Sequence, residues 1–293
     1  MAPSYKVAVY QMNPIPMQPK ENYDRAASFI RDAAQQGAQL AVLPEYHLLG
    51  WVPDDPGYKA ACSEWEKYLS AYLALAKEHN INIIPGTIIE LHDAGTDTER
   101  LLNVAYFITN EGKIAGRYVK KNLWGTIERN YLQSSARDVH PVFETPLGKV
   151  GILICWDLGF PEGFRELISQ GAKLIVIPAF WLLTDASEAG RDINPVAEQV
   201  FLDSVLTARC FENTCAIVFA NVGGPQGQGY AGLSQICLPF AGPIARLGSL
   251  EGVIVADIDM HTVEEAEKCY QVRADLARAD WHYDYRHDKS PNT

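Results

Sequence analysis

No stretch of the 293-residue sequence stays apolar for long enough to cross a bilayer. The longest nearly unbroken run, residues 174–183, contains Pro178 and is about half of the ~20 residues a helical span needs. A membrane partner is therefore not expected. Positive charge is scarce too, with 25 Lys and Arg against 36 Asp and Glu, a formal net charge of −11. A chain without a basic footprint cannot neutralise phosphates, so no nucleic-acid partner is expected and the acidity reads as solubility. The opening residues Met1-Ala2-Pro3-Ser4-Tyr5-Lys6 offer no apolar signal-peptide core. The six cysteines (62, 155, 210, 215, 237 and 269) form no C-x-x-C pair. They are too sparse for a disulfide framework. A cytoplasmic location with reduced, mostly core cysteines is the expectation. His282 and His287 lie in an Asp-rich tail without usable ligand spacing, so neither a metal nor a cofactor is expected. No Gly/Ser- or Pro-rich linker divides the chain.

What is present is an alternation of strand-like and helix-like segments. Residues 5–12, 39–43, 81–90, 101–109, 113–120, 148–155, 173–178, 215–222, 232–238, 243–247 and 252–258 read as strands. Residues 20–36, 60–79, 161–170 and 195–212 carry apolar residues at helical spacing, and a short helix follows from about 262. The strands are apolar on both faces, which points to an α/β fold. A single domain over residues 1–275 with a C-terminal tail over 276–293 is expected.

Residues 36–46 (QGAQLAVLPEY) and 170–180 (QGAKLIVIPAF) share six of eleven positions. Each copy follows a helix that itself follows a strand. The glycine suits a helix C-cap and the proline ends the strand. The echo implies two similar halves packed into one body. Glu45 in the first copy corresponds to Ala179 in the second.

The same strand ends carry reactive side chains. Cys155 closes the 148–155 strand ahead of Trp156-Asp157-Leu158-Gly159-Phe160-Pro161-Glu162, where Pro161 and Glu162 suit the start of a helix. A residue at such an elbow projects at the carboxyl edge of the sheet, where a helix N-terminus helps stabilise a thiolate. Glu45 ends the other strand. Lys120 lies on the same strand face as Tyr118, and Lys121 on the opposite one. Glu128 follows eight residues later. Singly, each has a bland reading: core thiol, solvated loop acid, exposed strand end, surface carboxylate.

Taken in order, Pro-Glu, Tyr-x-Lys-x-Asn-Leu, Glu-Arg-x-Tyr-Leu and Cys-x-Asp-x-x-Phe-Pro-Glu resemble the nitrilase (carbon–nitrogen hydrolase) superfamily. Ala208-Arg209-Cys210-Phe211-Glu212-Asn213, Gly232-Leu233-Ser234, Pro239-x-x-Gly242, the strand ending in Gln11 and Asp257-Ile258-Asp259 extend the likeness over about residues 5–275. The resemblance implies a four-layer α-β-β-α sandwich, usually in a homodimer or larger assembly. It implies a Glu45–Lys120–Cys155 triad with Glu128 as an additional active-site glutamate. In that scheme Glu45 relays protons, and Lys120 with the Trp156 N–H holds the tetrahedral oxyanion. Phe160, Pro161 and Glu162 support the elbow.

True nitrilases of this superfamily usually show Cys-Trp-Glu, whereas Cys155-Trp156-Asp157 with Phe160-Pro161-Glu162 looks like the amide- or carbamoyl-cleaving branches. Leu158 and Gly159 stand where the carbamoyl-D-amino-acid branch carries carboxylate-binding arginines. The expected substrate is a small, neutral or partly apolar linear amide or carbamoyl compound, with Tyr46, Trp51, Trp124, Trp156, Phe180 and Trp181 as its contacts. The alternatives are nitrile hydrolysis by the same triad and a non-catalytic binding module. A literal G-x-G-x-x-G at 227–232 precedes a strand, not the helix that dinucleotide binding requires.

Overall fold

The two echoing segments fold alike, down to their hydrogen bonds. In the computed structural model, which describes residues 2–283, helix Pro19–Gln35 ends at Gly37 (φ 79°) and helix Pro161–Ser169 at Gly171 (φ 95°). Gly37 N–H donates to Ala34 O and Ala38 N–H to Ala33 O. Gly171 and Ala172 repeat this with Ile168 and Leu167. Glycine takes the left-handed conformation without a Cβ penalty, so each helix stops there and the chain turns into a strand.

Thirteen strands among the described residues form two sheets: β1 (Ser4–Gln11), β2 (Leu40–Val42), β3 (Asn82–Ile84), β4 (Ile88–His92), β5 (Arg100–Ile108), β6 (Ile114–Val119), β7 (Val142–Thr145), β8 (Gly148–Ile152), β9 (Leu174–Pro178), β10 (Ala216–Ala220), β11 (Gln235–Leu238), β12 (Gly242–Arg246) and β13 (Gly252–Asp259). One sheet runs β13-β1-β2-β3-β5-β4, with β6 beside β5; the other runs β7-β8-β9-β10-β11-β12. Along both, successive pairings are antiparallel, parallel, parallel, antiparallel, antiparallel. This matching order is the structural form of the repeat.

Side-chain alternation then sets the layers. Val7, Val9, Leu40, Val42, Ala105 and Phe107 pack against the second sheet. Their neighbours Ala8, Tyr10, Ala41, Val104 and Tyr106 pack against helices Pro19–Gln35 and Trp65–His79. Phe164, Leu167, Leu202 and Leu206, on helices Pro161–Ser169 and Ala197–Glu212, cover the far side of the second sheet. The result is a four-layer α-β-β-α sandwich of two pseudo-symmetric halves.

The structure differs from the sequence reading in several places. The 81–90 strand is split by Pro85-Gly86, which redirects the chain from β3 into β4. Short helices Gly125–Arg129 and Glu188–Ile193 occupy segments read as connections. Cys155 lies beyond β8 and opens a 3-10 turn, Cys155–Gly159. Leu276 and Trp281, assigned to the tail, pack against the core; Met1 and residues 284–293, His287 among them, lie outside the described residues. The five cysteines other than Cys269 are buried, and all six are free. Among the described residues no helix is long and apolar enough to cross a membrane.

Candidate active site

Strand ends from both halves converge at one point. Beyond β2, Leu43 N–H donates to Ile84 O at 3.0 Å and Glu45 N–H donates to Ala179 O at 3.2 Å. This links the corresponding positions of the two copies. Gly86 (φ 60°) lies so close to this segment that a Cβ on it would stand 1.8 Å from the Pro44 carbonyl oxygen. Lys120 follows β6, its N–H donating to Asn103 O of β5 at 2.9 Å. Glu128 is carried by the one-turn helix Gly125–Arg129, and Trp124 N–H at its start donates to Glu128 Oε2 at 2.7 Å.

Tyr46 (φ 55°) and Cys155 (φ 46°) both occupy the left-handed region, which non-glycine residues reach at a cost and which recurs at functional sites. Asp157 holds the cysteine elbow in place. Its Oδ2 accepts from Ile154 N–H at 2.9 Å and Tyr118 O–H at 2.8 Å. Its Oδ1 accepts from Asn122 N–H at 2.9 Å and Asn122 Nδ2 at 2.8 Å. Tyr118 and Asn122 flank Lys120, so one buried carboxylate ties the cysteine turn to the lysine strand.

The charged side chains form a closed network. Lys120 Nζ, fully buried, donates to Glu45 Oε1 at 2.9 Å and Glu128 Oε1 at 2.7 Å. Glu45 Oε1 also accepts from Asn103 Nδ2 at 2.7 Å, and its Oε2 from Phe180 N–H at 2.9 Å. Tyr46 O–H donates to Glu128 Oε1. Both Glu128 oxygens are thus engaged. An ammonium has three donors, and among the described residues two of those on Lys120 are taken.

Burial opposes charge on Glu45, Lys120 and Cys155. It pushes the Glu45 carboxyl up, with Lys120 opposing and Glu128 adding to the rise. It works against the Lys120 ammonium, but Glu45 and Glu128 outweigh it and hold the group well above its ordinary value. Burial, then Glu45, pushes the Cys155 thiol well above its ordinary range, with Lys120 opposing and Glu128 adding. The surroundings thus favour the neutral thiol of Cys155 and the cation of Lys120. The thiolate expected from a helix N-terminus is not stabilised, because a five-residue 3-10 turn does not offset this burial.

Cys155 and Glu128 line a cavity of about 60 Å³ with Tyr46, Trp51, Trp124, Phe180, Trp181, Leu182 and Asp185. Five of the six anticipated contacts are on its wall. Trp156 is not: its indole packs on Trp181, Phe160 and Phe201. Successive residues of a 3-10 turn point about 120° apart, so the neighbour of Cys155 faces elsewhere. Trp51 stacks on Tyr46 with ring centroids 4.6 Å apart. Lys121 is buried as well, donating to the Asp138 carbonyl. Asn103 and Asp185 escaped the sequence reading. Asn103 had a signal, being a lone amide in the apolar run Leu101-Leu102-Asn103-Val104-Ala105. Among the described residues no group of three or more His, Cys, Asp and Glu side chains is arranged to hold a metal ion.

The family model described as Carbon-nitrogen hydrolase matches residues 6–268. A protein named nitrilase from Pyrococcus abyssi is 31% identical over 263 residues, covering 88% of this chain and 91% of that protein. A 2-oxoglutaramate amidase from Bacillus subtilis is 28% identical over 270 residues, covering 89% and 93%. In fold the chain is similar to an amidase from Nesterenkonia, solved with the acetamide moiety of fluoroacetamide covalently added at its active-site cysteine. The TM-score is 0.72 at 23% identity, covering 92% of this chain and 96% of that one. With the family model covering most of its length, the chain belongs to the carbon–nitrogen hydrolase family.

Proposed function

We propose that the protein hydrolyses the C–N bond of a small linear amide or carbamoyl compound through a thioester on Cys155. The observation that carries this reading is the buried Lys120 ammonium, shared between Glu45 and Glu128 with one N–H left over, together with the cavity that Cys155 and Glu128 line. Glu45 Oε2 has one protein donor, Phe180 N–H, and keeps a lone pair for the thiol proton. As that proton moves to Glu45, sulfur adds to the carbonyl carbon. The remaining Lys120 N–H and the Trp156 backbone N–H receive the oxyanion, each such donor being worth roughly 10²–10³ in rate.

Glu45 then returns the proton to the departing nitrogen as the C–N bond breaks, leaving the thioester. Water attacks the thioester, its proton passing to Glu45 and on to sulfur as the C–S bond breaks, and the acid leaves. Because burial disfavours the free thiolate, the base is needed in the attack itself. Glu128 holds Lys120 and Tyr46 through Oε1 and Trp124 N–H through Oε2.

The relatives named amidase support the amide branch, and Asp157 in place of a glutamate agrees with it. The test is ammonia release from linear amides, ureido compounds and nitriles, with intact-mass detection of the acyl-enzyme on Cys155. Amide or ureido turnover lost in Cys155→Ala is the expected result. Turnover of nitriles alone would overturn the branch, and turnover that survives Cys155→Ala would overturn the mechanism.

A further inference from the structure

The cavity wall carries a carboxyl group that the proposed chemistry does not use. Asp185 ends the 3-10 turn Leu183–Asp185, and its Oδ2 accepts from Leu182 N–H at 2.9 Å. Among the described residues its other oxygen has no hydrogen-bond partner. Among the groups acting most on it the one cation is Lys120, already held by Glu45 and Glu128. The remaining lining is chiefly aromatic: Tyr46, Trp51, Trp124, Phe180 and Trp181. Aromatic faces attract cations, and the charges around the cavity favour them further. Glu45 and Glu128 already share the Lys120 ammonium, and Asp185 adds a further carboxyl group to the wall.

We infer that Asp185 and the aromatic wall form a subsite for a protonated amino group, so that the preferred substrate is a short linear amide bearing an ammonium at the end remote from the scissile bond. This rests on the amide-hydrolysis reading and sharpens it, replacing a neutral substrate with a cationic one. The cavity's 60 Å³ amounts to on the order of four to six water positions, which limits the linker to a few carbons. Burial pushes the Asp185 carboxyl up to about 7, with Leu182 N–H opposing and Glu198 and Glu45 adding. An arriving ammonium supplies the counter-charge that this carboxyl lacks. Capping the turn explains one oxygen of Asp185 and leaves the other without a protein partner among the described residues.

The test compares γ-aminobutyramide, its uncharged isostere valeramide and the carboxylate-bearing glutaramate as substrates of the wild-type protein and of Asp185→Asn. The variant keeps an oxygen for Leu182 N–H and removes the charge. The wild type is expected to favour γ-aminobutyramide over valeramide in kcat/KM, mainly through KM, and to use glutaramate worst. A hydrogen bond to a charged group corresponds to about a ten- to hundredfold effect, and Asp185→Asn should reduce the γ-aminobutyramide/valeramide ratio by that factor. Equal or better use of valeramide by the wild type refutes the subsite alone, whether or not the variant folds. So does a ratio unchanged in a folded Asp185→Asn. No ammonia from any of the three amides refutes the amidase reading, and the subsite with it.

Discussion

Replacing Lys120 with methionine tests whether the buried charges act as one unit. The side chains are close in length, so the change removes the ammonium more than the volume. Lys120 and Glu45 are completely buried and the Glu128 side chain is 5% exposed, at 2.9 and 2.7 Å from the ammonium nitrogen. Removing one partner of a buried ion pair costs about 3–5 kcal/mol, because a charge is left uncompensated. Here two carboxylates are left, but the Glu45 carboxyl is already pushed up and can relieve the site by taking a proton. The lower half of that range is therefore expected.

At about 2.1 cal/mol/K per residue the unfolding entropy of this chain is about 0.6 kcal/mol/K, so Tm should fall by about 5–7 °C at pH 8. The pH dependence carries the sign. Without Lys120 the folded Glu45 pKa rises further above its unfolded value, so the variant is most stable at low pH and loses stability as pH rises. The gap to wild type should thus be narrow at pH 5 and wide at pH 8, read by thermal unfolding monitored by circular dichroism at a common scan rate. Adding Glu45→Gln to Lys120→Met should recover part of the loss at pH 8, a coupling seen in a double-mutant cycle. A destabilisation equal at both pH values would mean that packing, not charge, was lost, and would refute the reasoning. Ammonia release by Lys120→Met should fall by at least about 10²-fold with the oxyanion donor gone.

Gly86→Ala would drive a methyl group to within 1.8 Å of the Pro44 carbonyl at φ 60°; the chain must shift just ahead of Glu45. We expect a loss of more than about 1 kcal/mol together with a fall in kcat, and a variant with wild-type Tm and turnover would disprove that this contact positions Glu45. Asp157→Asn turns an acceptor of four donors into a group with an amide N–H facing donors. It should cost about 2–3 kcal/mol and slow acylation, seen as delayed appearance of the acyl-enzyme by mass, whereas a purely structural role would lower Tm alone. Asp185→Asn should stabilise the fold at pH 8. A folded pKa of about 7 against an ordinary 3.8 means that stability falls as pH rises from about 4 to 7, and removing the titration returns about 2 kcal/mol after allowance for partial exposure. Equal urea midpoints for variant and wild type at pH 8 would contradict this.

Much of the site was legible because it lies where local rules are strict. Pro44 and Pro178 end buried strands, so the residue after each stands at a sheet edge. Strand alternation put Lys120 on the face of Tyr118 and Lys121 on the opposite one, but both lysines are buried, so alternation alone did not single out Lys120. Glu128 was legible through the family motif alone, since nothing local announces that a one-turn helix will bury a carboxylate beneath Trp124. Asp185 lies in a mixed-composition connection between β9 and helix Glu188–Ile193, where no periodicity fixes direction. Its place on the cavity wall depends on packing against the other half. The Trp156 indole lies off the cavity wall for a related reason: adjacency to the cysteine in sequence does not survive the rotation of a 3-10 turn.

The repeat explains why the proposed nucleophile and its proposed base arise from opposite halves. β1 and β8 are corresponding strands, each antiparallel to one neighbour and parallel to the next. After β8 the chain delivers Cys155. β1 ends at Gln11, whose side chain donates to Gly248 O and Leu250 O and accepts from Ser234 N–H, a structural tie across the sandwich. After β2 the chain delivers Glu45, and after the corresponding β9 it delivers Ala179 and Phe180, whose backbone groups bind Glu45. Each half therefore contributes one reactive strand end and one supporting strand end. The support is backbone or amide, which holds a partner without adding charge to a site that already buries more anions than cations. A carboxylate at Ala179 would place a further anion beside Glu45 with no additional cation among the described residues to offset it. Two identical halves could not build this centre. The divergence of the copies at Glu45 and Ala179 is what allows one side to hold the base and the other to hold it still.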